Sequence, residues 1–192
     1  FALRKLMLDK TQWRDACLSH AEHYVQILAQ SAEHIKYGSA RDEIAHISNE
    51  FENVIAAWNT LLTERRTDWF DLCWEGIWFF FNITSRFRDG ETLFYSTASR
   101  FGTNEMGHQQ AHSSGFCLVL VAHFLMRQGR TSEASSILAS PQTATIQASR
   151  ISRDRFYFSS IQSYIFHALG NGQAALANAE IALVSLKPLE DD

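Results

Sequence analysis

The sequence predicts an all-α protein, and three observations support this fold class. Glycine and proline, which interrupt helices, are sparse, with nine and two among 192 residues. Apolar residues recur at steps of three and four, which places them on one face of a helix. Hydrophobic residues make up 46% and charged residues 20% of the sequence, enough for one sizeable core. We expect one continuous helical domain over residues 11–192, with residues 1–10 as a linker or the end of a preceding domain.

The N-terminal part, residues 11–65, is predicted to be a helical hairpin. Its first helix carries an apolar stripe formed by Trp13, Cys17, Ala21, Tyr24, Leu28, Ala32 and Ile35. Gly38 ends this helix, and Ser39 with Asp42 resembles a capping box at the start of the second helix. The second helix carries a stripe formed by Ile44, Ile47, Phe51, Val54, Trp58 and Leu61. Two such faces joined by a short turn can pack as an antiparallel pair that caps the helices after it.

Residues 66–192 contain three segments with one local plan: an apolar helix, a short polar turn, and a second helix with small residues near its start. Aligning the turns places Ser85, Gly129 and Gly170 at one position. Five residues later the small residues are Gly90, Ala134 and Ala175. The turn position needs permissive dihedral angles, and a small side chain lets two helices approach closely. The plan predicts a row of antiparallel hairpins, with about eight or nine helices in the whole chain.

This plan resembles the tetratricopeptide repeat, and the resemblance implies a right-handed stack of antiparallel helix hairpins. The last segment matches best, through Leu169, Gly170, Ala175, Ala182 and Pro188. It departs from the pattern at Ser159 and Ser163, which stand at the aromatic and glycine positions of its first helix. The turns are about forty residues apart, longer than the usual repeat of about 34, so the three repeats would be irregular.

The N-terminal half is similar to a region of the STAND-class signal-transduction ATPases, which are often bacterial transcriptional regulators. Four stretches carry this resemblance, in the order that the family has them: FALRKL, HAEHYVQILAQSAE, NEFENVIAAWNTLLTERR and WFFFNITSRFRDGETLF. The first corresponds to the end of a winged-helix domain. In the third, Asn53, Ala56 and Ala57 occupy the family's motif positions, and in the fourth Ser85 replaces a glycine.

The resemblance implies an excised sensor region of a cytoplasmic regulator, without the ATPase and DNA-binding domains. Such a region would be no enzyme and would need no cofactor. It would bind a protein, a peptide or a small-molecule inducer, and it would contact other domains of the parent regulator. The structural positions would be Asn53, Trp58, Gly90, Gly129, Ala134, Gly170, Ala175 and Ala182.

The first helices of stacked hairpins line a concave groove that suits a peptide or a small molecule. Counting from the turns assigns seven residues to this groove: Glu75, Phe79, Asn82, His123, Arg127, Tyr164 and His167. Each of them could instead pack against a neighbouring repeat.

Charge and cysteine content restrict the partners. A net charge of −4 supplies no general field that would attract phosphate backbones, so we expect no direct nucleic-acid contact. The longest apolar runs are shorter than the ~20 residues that span a bilayer, which argues against a membrane segment. Cys17, Cys73 and Cys117 form no C-x-x-C pair and favour thiols in a reducing compartment.

Two other functions stay open. Histidine pairs at helical spacing, His20 with His23 and His108 with His112, could serve a freestanding metal-binding bundle or enzyme. No H-E-x-x-H, paired E-x-x-H or G-x-S-x-G motif accompanies them, so we expect no metal and no catalytic residues. Apolar faces exposed at the end of a stack could also pair symmetrically, which would make the chain a structural homo-oligomer.

Overall fold

The computed structural model describes residues 9–38, 40–102 and 107–186. Helices make up 84% of these residues and no strand occurs among them. The all-α class is therefore confirmed for the described residues. No helix in these three ranges combines the length and the apolar character needed to cross a bilayer. The predictions that concern residues 1–8, Ser39 and Pro188 lie outside the described residues.

The described residues form ten helices: α1 (Lys10–Lys36), α2 (Ala40–Asn49), α3 (Phe51–Thr63), α4 (Thr67–Ile83), α5 (Phe87–Phe101), α6 (His108–Arg127), α7 (Thr131–Leu138), α8 (Ala144–Gln147), α9 (Ser152–Ala168) and α10 (Gly172–Leu186). They fall into two compact units, Phe1–Ser85 with α1–α4 and Arg86–Asp192 with α5–α10. The boundary lies in the turn of the first predicted repeat, so α4 and α5 belong to different units.

Helix α1 organises the first unit by packing against α2, α3 and α4. Its N-terminus is capped by Asp9, whose carboxylate accepts hydrogen bonds from the backbone N–H groups of Thr11 and Gln12, each at 3.1 Å. The helix agrees with the one predicted over residues 11–35, and Gly38 follows its end with a φ of +113°. The centre of the predicted stripe is buried, at Ala21, Leu28 and Ala32.

The second arm of the predicted hairpin is divided into two helices, α2 and α3, at Glu50. This residue has a φ of −101° and a ψ of 13°, away from helical values. Its carboxylate accepts hydrogen bonds from the Tyr24 hydroxyl on α1 and the Asn53 amide, both at 2.7 Å. Asn53 thus positions the Glu50 carboxylate, which connects the break between α2 and α3 to α1. With the short helix α8, this division explains why the structure has more helices than the sequence predicts.

The core of the first unit is aromatic. Trp58 on α3 is 1% exposed and meets the Phe70 ring of α4 edge-on, with ring centroids 5.9 Å apart. Gly76 brings α4 against α1, because a Cβ atom there would lie 2.2 Å from the backbone oxygen of Leu28. The sequence predicts the burial of Trp58, but the predicted packing positions do not include Gly76.

Helix α6 lies at the centre of the second unit and packs against α5, α7, α8 and α9. Gly90 on α5 admits the Phe124 ring of α6, since a Cβ atom at Gly90 would lie 2.6 Å from Cζ of that ring. Ala134, Ala175 and Ala182 are buried as well. The small residues predicted to permit close helix packing therefore do lie inside the packed unit.

Four helix ends in the chain share one turn geometry. The second residue after each helix has a positive φ, +52° at Arg65, +57° at Ser85, and +77° at Gly129 and Gly170. At three of these ends the next residue donates a hydrogen bond to the carbonyl five residues earlier, Arg66 to Leu61, Arg130 to Leu125 and Asn171 to Phe166. The predicted alignment of Ser85, Gly129 and Gly170 is confirmed. It does not include Arg65, because arginine gives no sequence signal for a left-handed backbone.

Candidate functional site

Three of the predicted groove residues lie on α4 in the first unit, and all are partly buried. Glu75 forms an ion pair of 2.7 Å with Lys36 at the end of α1. Phe79 lies against the Trp78 ring, with centroids 5.1 Å apart. The Asn82 side-chain amide donates to the Trp78 carbonyl of its own helix at 2.9 Å. Glu75 therefore joins two helices of its unit, and whether these residues also bind a ligand stays a prediction.

The other four predicted residues lie on α6 and α9 in the second unit. His123 is partly buried, and burial together with the nearby Arg127 lowers its pKa to about 4. The Arg127 guanidinium lies 4.7 Å from the centre of the Phe87 ring on α5, a cation–π contact. Tyr164 and His167 are exposed on α9. His123 is thus suited to a neutral, buried role, whereas Tyr164 and His167 are accessible to a partner.

A buried polar link joins α6 to α9. The fully buried carboxylate of Asp154 has its Oδ2 atom 2.7 Å from His112 Nε2, and the same atom accepts a hydrogen bond of 2.7 Å from Ser149. Burial opposes ionisation of Asp154, but the hydrogen bonds with His112 and Ser149 outweigh it and lower its pKa. In a nucleophilic triad the imidazole lies between hydroxyl and carboxylate. Here the carboxylate lies between the other two groups, an arrangement that connects helices.

The histidine pairs and the cysteines are the remaining residues that could bind a metal ion or act as nucleophiles. In the part of the chain that the structure describes, no group of three or more histidine, cysteine, aspartate or glutamate side chains could hold a metal ion. All three cysteines are thiols, and Cys73 and Cys117 are buried. Burial raises the pKa of Cys73 and so disfavours the reactive thiolate.

The second unit has an open groove that the sequence does not predict, and we call it the α6 groove. Helices α5 and α7 both pack against α6, and the groove lies above α6 between them, with a volume of about 480 Å³. Its lining residues are Glu91, Tyr95, Val121, Leu125, Arg130, Glu133, Ser136 and Ile137. Its floor is apolar, because Val121 and Leu125 are buried. The exposed ring of Tyr95 stands on one side and α7 on the other.

One end of the α6 groove is lined by a network of charged side chains centred on Arg130. This arginine follows the turn residue Gly129 and pairs with Glu133 in the first turn of α7 at 2.7 Å. Its Nη1 atom also donates to both carboxylate oxygens of Glu91 on α5, each at 2.8 Å. Gln128 donates to Glu91 as well, at 2.8 Å. The hydrogen bonds and charge of Glu133 and Glu91 raise the pKa of Arg130, so the guanidinium stays charged.

A local sequence pattern predicts an arginine that pairs with an acid at this position, but no pattern predicts the groove. Arg66 and Arg86 also follow a turn residue, and each pairs with an acid early in the next helix, Asp68 at 2.6 Å and Asp89 at 2.7 Å. An arginine after the turn and an acid two or three residues later is therefore a repeated local motif. The contact of Arg130 with Glu91 depends on the packing of α5 against α6, which no local pattern encodes.

No protein family, curated protein or solved structure matches this chain.

Proposed function

We propose that this chain is a non-catalytic binding module of the helical-repeat kind, resembling the sensor region of a bacterial STAND-class regulator. The observation that carries the proposal is the repeated connection in the second unit. Gly129 follows α6 and Gly170 follows α9 with the same left-handed backbone, and α6, α7 and α9 pack on one another. Such arrays offer extended surfaces whose neighbouring helices leave grooves for ligands. The α6 groove is one such surface.

The mechanism that follows from this proposal is differential binding. A partner that binds one arrangement of the helices better than another shifts the population toward that arrangement. In a regulator, such a shift would be passed to the ATPase as a coupling free energy between the two sites, commonly about 1–3 kcal/mol. This module would contribute the binding surface and its parent the chemistry.

The test has two parts. The complete open reading frame should encode a phosphate-binding loop of the G-x-x-x-x-G-K-[ST] type upstream of this region. In the full-length protein, deletion of the second unit, residues 86–192, should leave ATP hydrolysis measurable and change its rate in the absence of inducer. An open reading frame without that loop, or hydrolysis at the same rate with and without the module, would remove the regulator assignment.

A specific observation also favours a second candidate, homo-oligomerisation through α10. This helix exposes large apolar side chains, with exposed fractions between 42% and 65%, at Leu176, Ile181, Leu183, Val184 and Leu186. A helix that is apolar around most of its circumference is usually covered. At an order of 100 Å² for each side chain, two copies would bury at most about 1,000 Å², near the lower limit of a specific interface.

Light scattering of the chain tests this second candidate. A dimer that becomes a monomer when Leu176 and Leu183 are both changed to Ser would support pairing through α10. The matched control changes the exposed Leu72 of α4 to Ser, which should leave the dimer intact. A monomer at all concentrations would remove the candidate.

A further inference from the structure

We propose that the α6 groove binds a peptide segment in which an aromatic side chain is flanked by lysine or arginine. The inference deepens the proposed binding function and rests on it. Nothing in the sequence pattern assigns a ligand to this groove, whose residues differ from the seven predicted for a concave surface. Three properties of the groove support it: its shape, its exposed aromatic wall and its balance of charge.

The shape favours a peptide side chain over an enclosed small molecule. The groove is open toward solvent, and its volume of about 480 Å³ accommodates a few side chains. Small-molecule sites commonly enclose most of the ligand surface, whereas peptide grooves leave the backbone of the ligand accessible and bury its anchor side chains. Leu125 forms an apolar floor for such an anchor.

The aromatic wall gives the anchor a preferred partner. Tyr95 is 56% exposed, although it lies next to the buried floor of α6. A second ring placed against it would gain an edge or stacked contact in addition to the burial of apolar area. An aromatic anchor therefore uses the groove better than an aliphatic anchor of the same size.

The charges at the end of the groove favour a cation beside that anchor. Glu91, Arg130 and Glu133 carry a net charge of −1. An ionised carboxylate offers about four acceptor positions. Glu91 receives three hydrogen bonds and Glu133 two, all from groups of this protein. Acceptor positions remain on both carboxylates, while Nε, Nη1 and Nη2 of Arg130 all donate already.

Binding of short synthetic peptides to the intact chain tests the proposal. The probe is Gly-Ser-Lys-Trp-Lys-Ser-Gly with blocked termini, and titration calorimetry at low salt measures its dissociation constant. One comparison peptide replaces both lysines by glutamate, and another replaces the tryptophan by alanine. We expect the lysine peptide to bind at least tenfold more tightly than either. Affinity should fall as salt is raised, because Arg130 and Glu133 at the groove end are exposed.

Two variants locate the bound peptide. Ser136→Trp would fill the groove from α7. In the wild type the Ser136 hydroxyl donates to the Ser132 carbonyl of the same helix at 3.0 Å, so the change breaks no contact between helices. This change should abolish binding. The matched control Ser132→Trp places the same ring on the same short helix outside the groove lining and should keep the affinity within about threefold. Tyr95→Ala should weaken binding about fivefold or more, whereas Tyr164→Ala on α9 should not.

Several results would overturn the proposal. The first is that the lysine peptide does not bind at a concentration of about 1 mM, which corresponds to a very weak affinity. The second is that the glutamate peptide binds as tightly as the lysine peptide or more tightly. The third is that the lysine peptide binds Ser136→Trp as tightly as the wild type. Binding of tryptamine without binding of the peptide would assign the groove to a small amine instead. The peptide result and the ATPase result are separate measurements, so the ligand assignment can fail while the regulator assignment stands, and the reverse.

Discussion

The contact between Gly76 and the backbone of Leu28 makes Gly76→Ala a sharp test of how α1 and α4 pack. Helix propensity alone predicts that alanine in the middle of α4 stabilises the protein by about 1 kcal/mol relative to glycine. The structure predicts the opposite sign. The new Cβ atom would lie 2.2 Å from the Leu28 oxygen and 2.9 Å from its carbonyl carbon, both main-chain atoms.

The magnitude follows from the distance. An ordinary contact needs at least 3.4 Å, so α1 and α4 must separate by roughly 1 Å at this point. A gap of that size forfeits a quarter to a half of the dispersion energy of the neighbouring contacts, and overpacking of this kind typically costs about 1–3 kcal/mol. We expect a net loss of about 1–3 kcal/mol in the free energy of unfolding.

The assay uses the distribution of tryptophan. All five tryptophans lie before residue 86, so tryptophan fluorescence during guanidinium unfolding reports the first unit alone. Gly76→Ala should move the fluorescence midpoint to lower denaturant. Gly172→Ala is the control for a glycine-to-alanine change without a clash, because a Cβ atom at this first residue of α10 meets nothing within 4 Å. Since Gly172 lies in the second unit, its unfolding is followed by circular dichroism, and its midpoint should not fall. A fluorescence midpoint of Gly76→Ala equal to or above that of the wild type would refute the packing described for α1 and α4.

Three further predictions concern burial, backbone and pH. Trp58→Ala should destabilise the first unit by about 3–5 kcal/mol in the same fluorescence assay, and a near-neutral effect would contradict the burial of this ring. Ser85→Gly should stabilise and Gly170→Ala should destabilise by about 1 kcal/mol each in melts followed by circular dichroism, since both positions have positive φ. The folded pKa of His123 is lowered from 6.5 to about 4. Its contribution to the free energy of unfolding is therefore complete above pH 6.5 and is lost as the pH falls toward 4. The expected loss is about 3 kcal/mol. His123→Leu should flatten this part of the pH–stability curve, and an unchanged curve would show that the ring is hydrated.

The sequence by itself determined the local features of this protein. The steps of three and four along α1 place Leu28 and Ala32 on one buried stripe, because a helix of 3.6 residues per turn repeats its faces at that spacing. Gly129 and Gly170 mark helix ends because a left-handed backbone costs glycine little. These signals depend on neighbours within a few residues, which is why they are readable without coordinates.

Only the tertiary structure decided which distant residues meet. The break at Glu50 depends on a hydrogen bond from Tyr24, 26 residues away, and the approach of α4 to α1 depends on a backbone oxygen of Leu28 that meets Gly76. The α6 groove exists because α5 and α7 both pack on α6, and its charged end exists because Arg130 reaches Glu91 across 39 residues. Contacts between distant residues depend on how helix faces fit together, and a local pattern of residue types does not encode that fit.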